Sequence, residues 1–339
     1  MRKVAPLKTG LALVTGATGL VGSHLVERLL AAGVRVRACV RPSSEMRYLD
    51  PLPVEIVRGE SADPVVIQQA VAGAQWVFHA AAALNLGSTF AGDSTTDEYT
   101  ATNVDLTAAL LAASLAAGVE RFVYVSSASV YSLEAANPIT ETAPLVPYSP
   151  YGRSKLRAEE LVRSYQQDQG LATTIVRPAL IYGPRDRYFI PTALRLARLP
   201  VLPLVNGGRH IVDFVYAGDV AELLWQASQS DAAIGKEYNA GPGVPTSLLD
   251  LATVYRQLTG RAPRILPVSS AAARRFAPLA RRYLARFAPG VEVLLTPVSL
   301  ALMDRDIHLD MTRARTELGY TPRVDLKEGL ALSLGLSGN

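Results

Sequence analysis

The chain has few of the residues that build disulfides and metal sites. Its 339 residues include one cysteine, Cys39, and four histidines. A single cysteine cannot form an intramolecular disulfide, and it also excludes a thiolate-rich metal site. The histidines show no metal-ligand spacing, so no metal is predicted. They are His24, His79, His210 and His308. This cysteine usage favours a cytoplasmic protein.

Long uncharged apolar runs are also missing. Glycines interrupt the apolar stretch after the basic start of the chain, which argues against a secretory signal. A membrane span needs about 18 or more apolar residues in succession, so no transmembrane segment is predicted. The formal net charge is only +4, from 34 basic and 30 acidic side chains, and no long Lys/Arg run occurs. We therefore expect no nucleic-acid partner.

The composition present, 49% hydrophobic and 19% charged, excludes disorder and is typical of a packed globular enzyme. The first 180 residues or so alternate β-branched runs with helical patterns, which predicts βαβ units and a parallel sheet. Several predicted strands are apolar almost throughout, as in strands buried on both faces. The predicted strands are Leu11 to Thr15, Val34 to Val40, Val54 to Val57, Trp76 to His79, Phe122 to Ser126 and Thr173 to Val176.

Helical patterns lie between these strands, and a glycine follows each of them as a stop. The helices are predicted over Leu20 to Ala32, Val104 to Ala117 and Tyr151 to Gln169. After Arg177, prolines break the chain into short pieces. The predicted fold class is α/β, a Rossmann doubly wound parallel sheet with a smaller mixed α/β C-terminal lobe. Residues 1–180 are assigned to dinucleotide binding, and residues 181–339 mainly to substrate binding, with some segments returning to the Rossmann domain.

A glycine-rich loop follows the first strand and opens a helix. Gly16 permits a tight turn, Gly19 lets the backbone approach a pyrophosphate, and Gly22 allows close packing of helix on sheet. The helix N-terminus adds N–H donors and a positive dipole. The predicted cofactor-binding residues of this loop are Gly16, Thr18, Gly19, Leu20, Val21 and Gly22.

The second strand ends in Arg41, where an NAD-specific site usually places an acidic residue. A guanidinium can pair with a 2′-phosphate, and Ser43 or Ser44 can add a hydroxyl. NADP(H) is therefore favoured over NAD(H). The alternative is that Arg41 is a solvated strand-end arginine and that the site accepts both cofactors. Glu60, after the third strand, is expected to face the adenine amino group.

Tyr151 and Lys155 lie four residues apart on a predicted helix and so share one face. An adjacent ammonium stabilises a phenolate, so Lys155 is expected to move the pKa of Tyr151 toward the working pH. Ser127, at the end of the fifth strand, can offer its hydroxyl to a substrate oxygen. Together the three residues predict a catalytic group for proton transfer.

Four segments, GATGLVG, VYVSSASVY, SPYGRSK and VRPALIYGP, follow in this order and resemble the extended short-chain dehydrogenase/reductase family. The resemblance covers nearly the whole chain. It implies that Ser127, Tyr151 and Lys155 are the catalytic residues and that Lys155 also holds the nicotinamide ribose. It also implies an adenine contact by Glu60, which replaces the more usual aspartate of this family.

Further positions follow from the same resemblance. The FHAAA segment is similar to the family's fourth-strand turn, which implies that Ala80 and Ala81 lie under the pyrophosphate and ribose. Pro178 and Ile181 are expected to flank the nicotinamide. Asn103 resembles the family's helix asparagine, for which a structural hydrogen bond and a proton-relay role both stay open.

Members of this family include nucleotide-sugar epimerases and dehydratases, 3β-hydroxysteroid dehydrogenases, and ketone reductases resembling dihydroflavonol reductase. Sugar-nucleotide enzymes commonly carry an arginine before the aspartate of an RDF-like motif, where this chain has Val212. That difference argues against a diphosphate, although Arg185, Arg187 and Arg209 lie nearby in sequence. The predicted substrate residues are Ser129, Tyr182, Tyr188, Phe189 and Arg209, with Leu204 and Phe214 as further apolar surface.

These observations predict an NADP(H)-dependent oxidoreductase that acts on a ketone or secondary alcohol of a lipophilic or cyclic small molecule. One alternative is a nucleotide-sugar epimerase or dehydratase with tightly held NAD(P). A non-catalytic dinucleotide-binding sensor is the alternative from another class, and the intact Ser127, Tyr151 and Lys155 oppose it. A homodimer is compatible with the sequence.

Apolar residues recur at helical spacing between Ala271 and Ala288, with arginines among them. This pattern predicts an amphipathic helix. The favoured interpretation is an apolar face packed on the core with solvated arginines. A substrate lid and a peripheral contact with an anionic membrane are the less favoured interpretations.

Overall fold

A computed structural model describes residues 10–60, 62–84, 99–261, 263–287 and 292–336. Its centre is a parallel sheet of seven strands, in the spatial order β10-β6-β5-β4-β1-β2-β3. Numbered along the chain, they are β1 Leu11–Thr15, β2 Arg35–Val40, β3 Val54–Arg58, β4 Trp76–His79, β5 Arg121–Val125, β6 Thr173–Pro178 and β10 Lys236–Ala240. The strand order changes direction between β1 and β4, as in a doubly wound sheet. The predicted α/β Rossmann fold class is confirmed.

Helices cover both faces of this sheet because successive strand side chains point to opposite faces. In β1, Ala12 and Val14 pack into one hydrophobic cluster and Leu13 packs into the other. The first face carries α1 Leu20–Ala31 and α6 Ala217–Gln229. The opposite face carries α2 Pro64–Val71, α3 Leu106–Ala116 and α4 Pro150–Gln169.

All six predicted strands occur, with ends that differ by at most two residues, but the sequence analysis missed β10. Its sequence, KEYNA, lacks the apolar run of the other central strands. Asn239 is nevertheless fully buried, because its amide donates to the carbonyls of Ile139 (2.8 Å) and Asp310 (3.1 Å) and accepts from the Tyr131 hydroxyl (2.7 Å). Hydrogen bonds of this kind allow a polar strand to be buried. Hydrophobic periodicity does not reveal such a strand.

The C-terminal half also forms smaller elements. β7 Leu180–Tyr182 pairs with β9 Phe214–Tyr216, and β8 Val201–Val205 pairs with β11 Arg264–Val268. The remaining helices are α5 Phe189–Ala197, α7 Leu248–Thr259, α8 Ser270–Phe287, α9 Pro297–Met303, α10 Thr312–Leu318 and α11 Leu326–Ser333. Several of these elements pack around one apolar cluster, whose buried members are Tyr182, Ile190, Phe214, Leu251 and Leu330. The division at residue 180 stays a prediction.

Helix α8 matches the predicted amphipathic segment, except that Ala288 lies outside the described residues. The expectation that its large apolar side chains pack on the core is wrong for three of them. Phe276, Leu279 and Tyr283 are 60%, 73% and 62% exposed. The buried side of α8 is formed by small residues, since Ala273 and Ala277 pack with the apolar cluster that contains Leu300. In the described part of the chain, no helix is long and apolar enough to cross a membrane.

A buried ion pair joins the sheet to helix α4. The Arg177 guanidinium on β6 donates from Nε to Glu159 Oε1 (2.9 Å) and from Nη2 to Glu159 Oε2 (2.7 Å). Ser126, directly after β5, donates its hydroxyl to the same carboxylate at 2.6 Å. Both charged side chains are almost fully buried. The pair therefore fixes α4 against the ends of two neighbouring strands.

Neutralising Glu159 should destabilise the protein strongly. Glu159→Gln leaves the buried Arg177 guanidinium without a counter-charge, and we expect the free energy of unfolding to fall by about 3–5 kcal/mol. Denaturant unfolding at pH 7 measures this. Glu55→Gln is the matched control, because Glu55 pairs with Arg37 at the surface and such a pair contributes about 1 kcal/mol or less. Equal losses in the two variants would contradict the account.

Candidate active site

The glycine loop lies directly against the turn that follows β4. Gly16 has a φ of +70°, and a Cβ there would lie 2.6 Å from the Ala81 nitrogen and 2.7 Å from the Ala80 oxygen. A Cβ on Gly22 would lie 2.1 Å from the Gly16 oxygen. Only glycine fits these two positions, because the backbone itself is the obstacle. The structure thus brings Ala80 and Ala81 beside the loop.

The first turn of α1 offers free donors to an anion. Gly19 caps the helix without a side-chain hydrogen bond, and the first turn has no acidic residue. The N–H groups at this end therefore keep their positive partial charge. Thr18 and Leu20 are partly exposed here, whereas Val21 is buried. A backbone cradle with uncapped N–H groups fits the pyrophosphate of a dinucleotide.

A buried chain of hydrogen bonds fixes the ends of β1 and β4. His79 Nδ1 lies 2.7 Å from Thr15 Oγ1, and its Nε2 lies 2.9 Å from Thr107 Oγ1. Thr107 donates its own proton to the Asn103 carbonyl, so His79 donates from Nε2 and accepts from Thr15 at Nδ1. Burial lowers the pKa of His79 to about 3, which keeps the ring neutral. His79 is thus a structural residue at the base of the glycine loop.

Arg41 lies in the exposed turn after β2, beside a second arginine that the sequence analysis missed. The Arg41 amide donates to Ser44 Oγ at 3.1 Å. Arg58, at the end of β3, donates to the Pro42 carbonyl of the same turn at 3.0 Å. The parallel register between β2 and β3 was the signal that could have revealed Arg58. Glu60 follows two residues later and is exposed at the same sheet edge.

Ser127 and Tyr151 are brought together by β5 and α4. Ser127 follows β5, and Tyr151 lies in the first turn of α4, which the Ser149 hydroxyl caps by accepting from the Gly152 amide (3.0 Å). The Ser127 hydroxyl lies close enough to the Tyr151 phenol to lower its pKa. Tyr99 packs edge-on against Tyr151, with ring centroids 6.1 Å apart. No periodic or motif signal marked Tyr99 in the sequence.

Ser129 orients the Ser127 hydroxyl. The Ser129 amide donates to Ser127 Oγ at 3.1 Å, and the Ser129 hydroxyl donates to it at 2.9 Å. These two bonds use the acceptor capacity of the Ser127 oxygen. The Ser127 proton is therefore left to donate toward Tyr151 or a substrate oxygen.

Lys155 lies one turn along α4 from Tyr151, where the sequence analysis expected it to lower the pKa of the phenol. Its Nζ donates to the Val125 carbonyl at 2.6 Å and lies 4.3 Å from the centre of the Tyr124 ring. Burial raises the pKa of Tyr151 to about 12, against a lowering by the Ser127 hydrogen bond. Tyr151 is thus a protonated phenol at neutral pH, suited to proton donation.

The Lys155 ammonium is itself strongly affected by its surroundings. Burial lowers the pKa of Lys155 to about 7, although the Glu159 carboxylate one turn away raises it. In the described residues, Val125 is its hydrogen-bond acceptor, and an ammonium has three donors. Lys155 therefore fits the role of a donor to ribose hydroxyls.

Asn103 takes the structural position that the sequence analysis left open. Its Oδ1 accepts from the Ala83 amide at 2.8 Å, and its Nδ2 donates to the Ser154 hydroxyl at 2.9 Å. Asn103 thus ties the segment after β4 to helix α4. These contacts match the structural hydrogen bond, and the proton-relay role stays open.

The remaining predicted residues divide between the site edge and the lobe core. Pro178 ends β6 and is buried, and Ile181 is partly buried on β7. Tyr182 lies in the core of the C-terminal lobe, where its hydroxyl contacts the Asp325 carbonyl at 3.4 Å. Phe189 stacks on the buried Phe214, with centroids 5.0 Å apart. Apolar packing holds the Tyr182 ring in this core, so the prediction that Tyr182 faces a substrate is corrected. Phe189 is partly exposed and stays a predicted substrate contact.

The C-terminal half also contains the predicted substrate residues Arg209 and Tyr188 and two further arginines that could meet a diphosphate. Arg185 pairs with Glu27 of α1, and its guanidinium lies 4.8 Å from the centre of the Tyr48 ring. Arg187 pairs with Glu45 at 2.9 Å. Arg209 is exposed, and Tyr188 is 47% exposed at the start of α5.

Comparisons with known proteins show to which family this chain belongs. The family model for the NAD dependent epimerase/dehydratase family matches residues 12–241. A ketoreductase of 4-hydroxy-2-methyl-3-oxo-4-farnesyl-3,4-dihydroquinoline-1-oxide from Stigmatella aurantiaca is 29% identical, over 94% of this chain and 93% of that protein. A 2-alkyl-3-oxoalkanoate reductase from Stenotrophomonas maltophilia is 33% identical, over 94% and 96%. The solved structure of MoeE5 with UDP-glucuronic acid and NAD superposes with a TM-score of 0.77 at 28% identity, covering 97% of this chain and 99% of that one.

This chain belongs to the NAD-dependent epimerase/dehydratase family, within the extended short-chain dehydrogenase/reductases. It is an NAD(P)-dependent enzyme of that type. The resemblance drawn from the four sequence segments is confirmed.

The lowered pKa of Lys155 predicts a pH-dependent contribution to stability. Between about pH 7 and the ordinary lysine pKa of about 10.4, the unfolded chain binds a proton at Lys155 and the folded chain does not. Unfolding free energy should therefore rise with pH in this window, relative to Lys155→Met, by up to about 1.4 kcal/mol per pH unit. Below pH 7 the difference between the two proteins should be constant.

Denaturant unfolding from pH 6 to pH 10 measures this difference after removal of any co-purified dinucleotide. Lys327→Met is the control, because Lys327 is exposed, and it should show no such trend. A pH-independent difference between the wild type and Lys155→Met would contradict the assignment.

Proposed function

We propose that this protein is an NADP(H)-dependent ketoreductase or alcohol dehydrogenase. Its substrate is the ketone or secondary alcohol of a lipophilic or cyclic small molecule. Residues 181–339 contribute mainly to the substrate side of the site, and residues 1–180 to the cofactor side. The proposal rests on the chemistry of Ser127, Tyr151 and Lys155 and on the pairing of the arginines around the substrate side.

Reduction needs a proton for the substrate oxygen as negative charge develops there. Tyr151 supplies it, since its raised pKa keeps the phenol protonated. Ser127 donates a hydrogen bond to the same oxygen, with its proton oriented by Ser129. Lys155 binds the nicotinamide ribose. When bound, the nicotinamide supplies or accepts the hydride.

The observation that carries the choice of substrate is the pairing of Arg185 and Arg187. A diphosphate removed from water needs charge-assisted donors. Arg185 is bound to Glu27, Arg187 is bound to Glu45, and Val212 stands at the position where an arginine is usual. A substrate diphosphate would compete with Glu27 and Glu45 for these two guanidinium groups, whereas a ketone with apolar substituents has no need of them.

Two of the relatives support the same substrate class. One is named for a ketoreductase reaction on a farnesylated ring and the other for reduction of 2-alkyl-3-oxoalkanoates. Both names describe a ketone that carries a large apolar group. We infer an apolar β-keto or cyclic keto compound as the substrate of this chain.

Tyr151→Phe tests the proposed chemistry. It retains the ring and its packing but removes the proton donor. We expect turnover of a 2-alkyl-3-oxoalkanoate with NADPH to fall by about 10²–10⁴-fold, with NADPH affinity retained. Steady-state NADPH oxidation and fluorescence titration measure these quantities. Tyr165→Phe on the same helix is the control, and it should keep wild-type turnover. Ordinary turnover by Tyr151→Phe would remove this residue from the mechanism.

The preference for NADP(H) rests on Arg41, Ser44 and Arg58. Arg41 makes no ion pair with the described residues, and Arg58 lies against the same turn. The acidic residue of this turn, Glu45, is paired with Arg187. Two guanidinium groups and a hydroxyl suit a ribose 2′-phosphate. The MoeE5 structure holds NAD, so the choice of cofactor needs a direct test.

Arg41→Asp should reverse the preference between the two cofactors. Loss of a charge-assisted contact costs about 1.5–3 kcal/mol, equivalent to about 10- to 100-fold weaker NADPH binding. Parallel titrations with NADPH and NADH measure this. Arg35→Asp, at the other end of the same strand, should leave both affinities unchanged. Tighter binding of NADH than of NADPH by the wild type would overturn the assignment.

A nucleotide-sugar epimerase or dehydratase is the second candidate. Arg209 favours it, because this arginine is exposed and could pair with a diphosphate. The MoeE5 structure contains UDP-glucuronic acid. Isothermal titration of the NADP-saturated protein with UDP- and dTDP-sugars separates the candidates. Micromolar binding accompanied by epimerisation or dehydration would favour this one.

A further inference from the structure

Positive charge is concentrated in one segment of the chain. Residues 251–291 contain eight arginines and no lysine, aspartate or glutamate. The rest of the chain therefore contains 26 of the 34 basic side chains and all 30 acidic side chains. The segment carries a formal charge of +8 and the remainder −4. The arginines are Arg256, Arg261, Arg264, Arg274, Arg275, Arg281, Arg282 and Arg286.

Helix α8 lies inside this segment and presents an apolar stripe to solvent. The stripe consists of Phe276, Leu279 and Tyr283, which are separated by three and four residues and so share one side of the helix. All three are more exposed than buried. A stripe of this kind has its apolar area in water until something covers it.

An arginine row borders the stripe. Relative to Leu279, Arg275 lies four residues before, Arg282 three residues after and Arg286 seven residues after. The three arginines therefore lie on the same side of the helix as Leu279. All three are exposed. Ala273 and Ala277 occupy another side and pack on the protein. The apolar stripe and the arginine row therefore face solvent next to each other.

We propose that α8 binds in the interface of a bilayer that contains anionic phospholipids. The stripe enters the boundary of the acyl chains and the arginine row pairs with lipid phosphates. Such a bilayer places apolar acyl chains next to anionic phosphates, just as the apolar stripe lies next to the arginine row on the helix. A second copy of the chain would bring a second arginine row and would repel the first. A nucleic acid would satisfy the arginines but would leave the stripe in water.

The test is co-sedimentation of the full chain with vesicles of phosphatidylcholine, alone or with about one-third phosphatidylglycerol. We expect binding to the mixed vesicles only. Arg275→Gln/Arg282→Gln should lower the partition coefficient about 30-fold, since each arginine near an anionic surface contributes about 1 kcal/mol. Phe276→Ser/Leu279→Ser should lower it at least about tenfold. These side chains are exposed, so circular dichroism and thermal melts should match those of the wild type.

Matched control variants remove the same kinds of side chain from exposed positions outside α8. Val65→Ser/Val244→Ser replaces two exposed apolar side chains, and Arg35→Gln/Lys327→Gln removes two exposed positive charges. Both should bind the mixed vesicles as the wild type does. Equal losses in the controls and the α8 variants, or no binding to the mixed vesicles, would overturn the proposal.

Two further results would replace the bilayer with another partner. One is a dimer in sedimentation velocity that the serine variant dissociates. The other is duplex DNA binding that only the arginine variant weakens. Either result, without binding to the mixed vesicles, would contradict the proposal.

Discussion

The buried pair between Glu159 and Arg177 fixes the elements that carry the candidate catalytic residues. Helix α4 carries Tyr151, Lys155 and Glu159 on successive turns, and the Glu159 carboxylate is bound by Arg177 of β6 and by Ser126 after β5. Because Ser126 precedes Ser127, one carboxylate fixes both halves of the Ser127–Tyr151 pair. Two charges buried in this way are stable only while both are present. The geometry of the proposed proton transfer thus depends on a contact outside the candidate site itself.

A few hydrogen bonds likewise connect several elements at the cofactor end of the sheet. The glycine loop, the turn after β4 and the end of β1 are linked through Thr15 and His79, with the ring held neutral by burial. Asn103 continues this link to α4 through Ser154. The cofactor cradle and the catalytic helix are therefore parts of one hydrogen-bonded unit.

Sequence patterns predicted the parts of this protein that depend on local chemistry. The glycine loop requires glycine at Gly16 and Gly22 for steric reasons, and the four-residue spacing of Tyr151 and Lys155 follows from helix geometry. Strand β10 was missed because hydrogen bonds of Asn239, rather than hydrophobic periodicity, account for its burial. The pKa of Tyr151 was expected to fall and instead rises, because burial outweighs any effect of Lys155. The partners of Arg185 and Arg187 are distant in sequence, so no spacing rule could reveal them.

The central claim is a net transfer of hydride to a ketone, with the proton from Tyr151. It is tested most directly by incubating the protein with a 2-alkyl-3-oxoalkanoate and NADPH deuterated at C4 on either face, and analysing the products by mass spectrometry. The account predicts one deuterium in the secondary alcohol for each NADP⁺ formed, from one of the two faces. Two results together would contradict it. The oxoalkanoate would yield no alcohol, and a keto sugar nucleotide would be turned over with the deuterium returned to the cofactor or retained in an isomerised sugar.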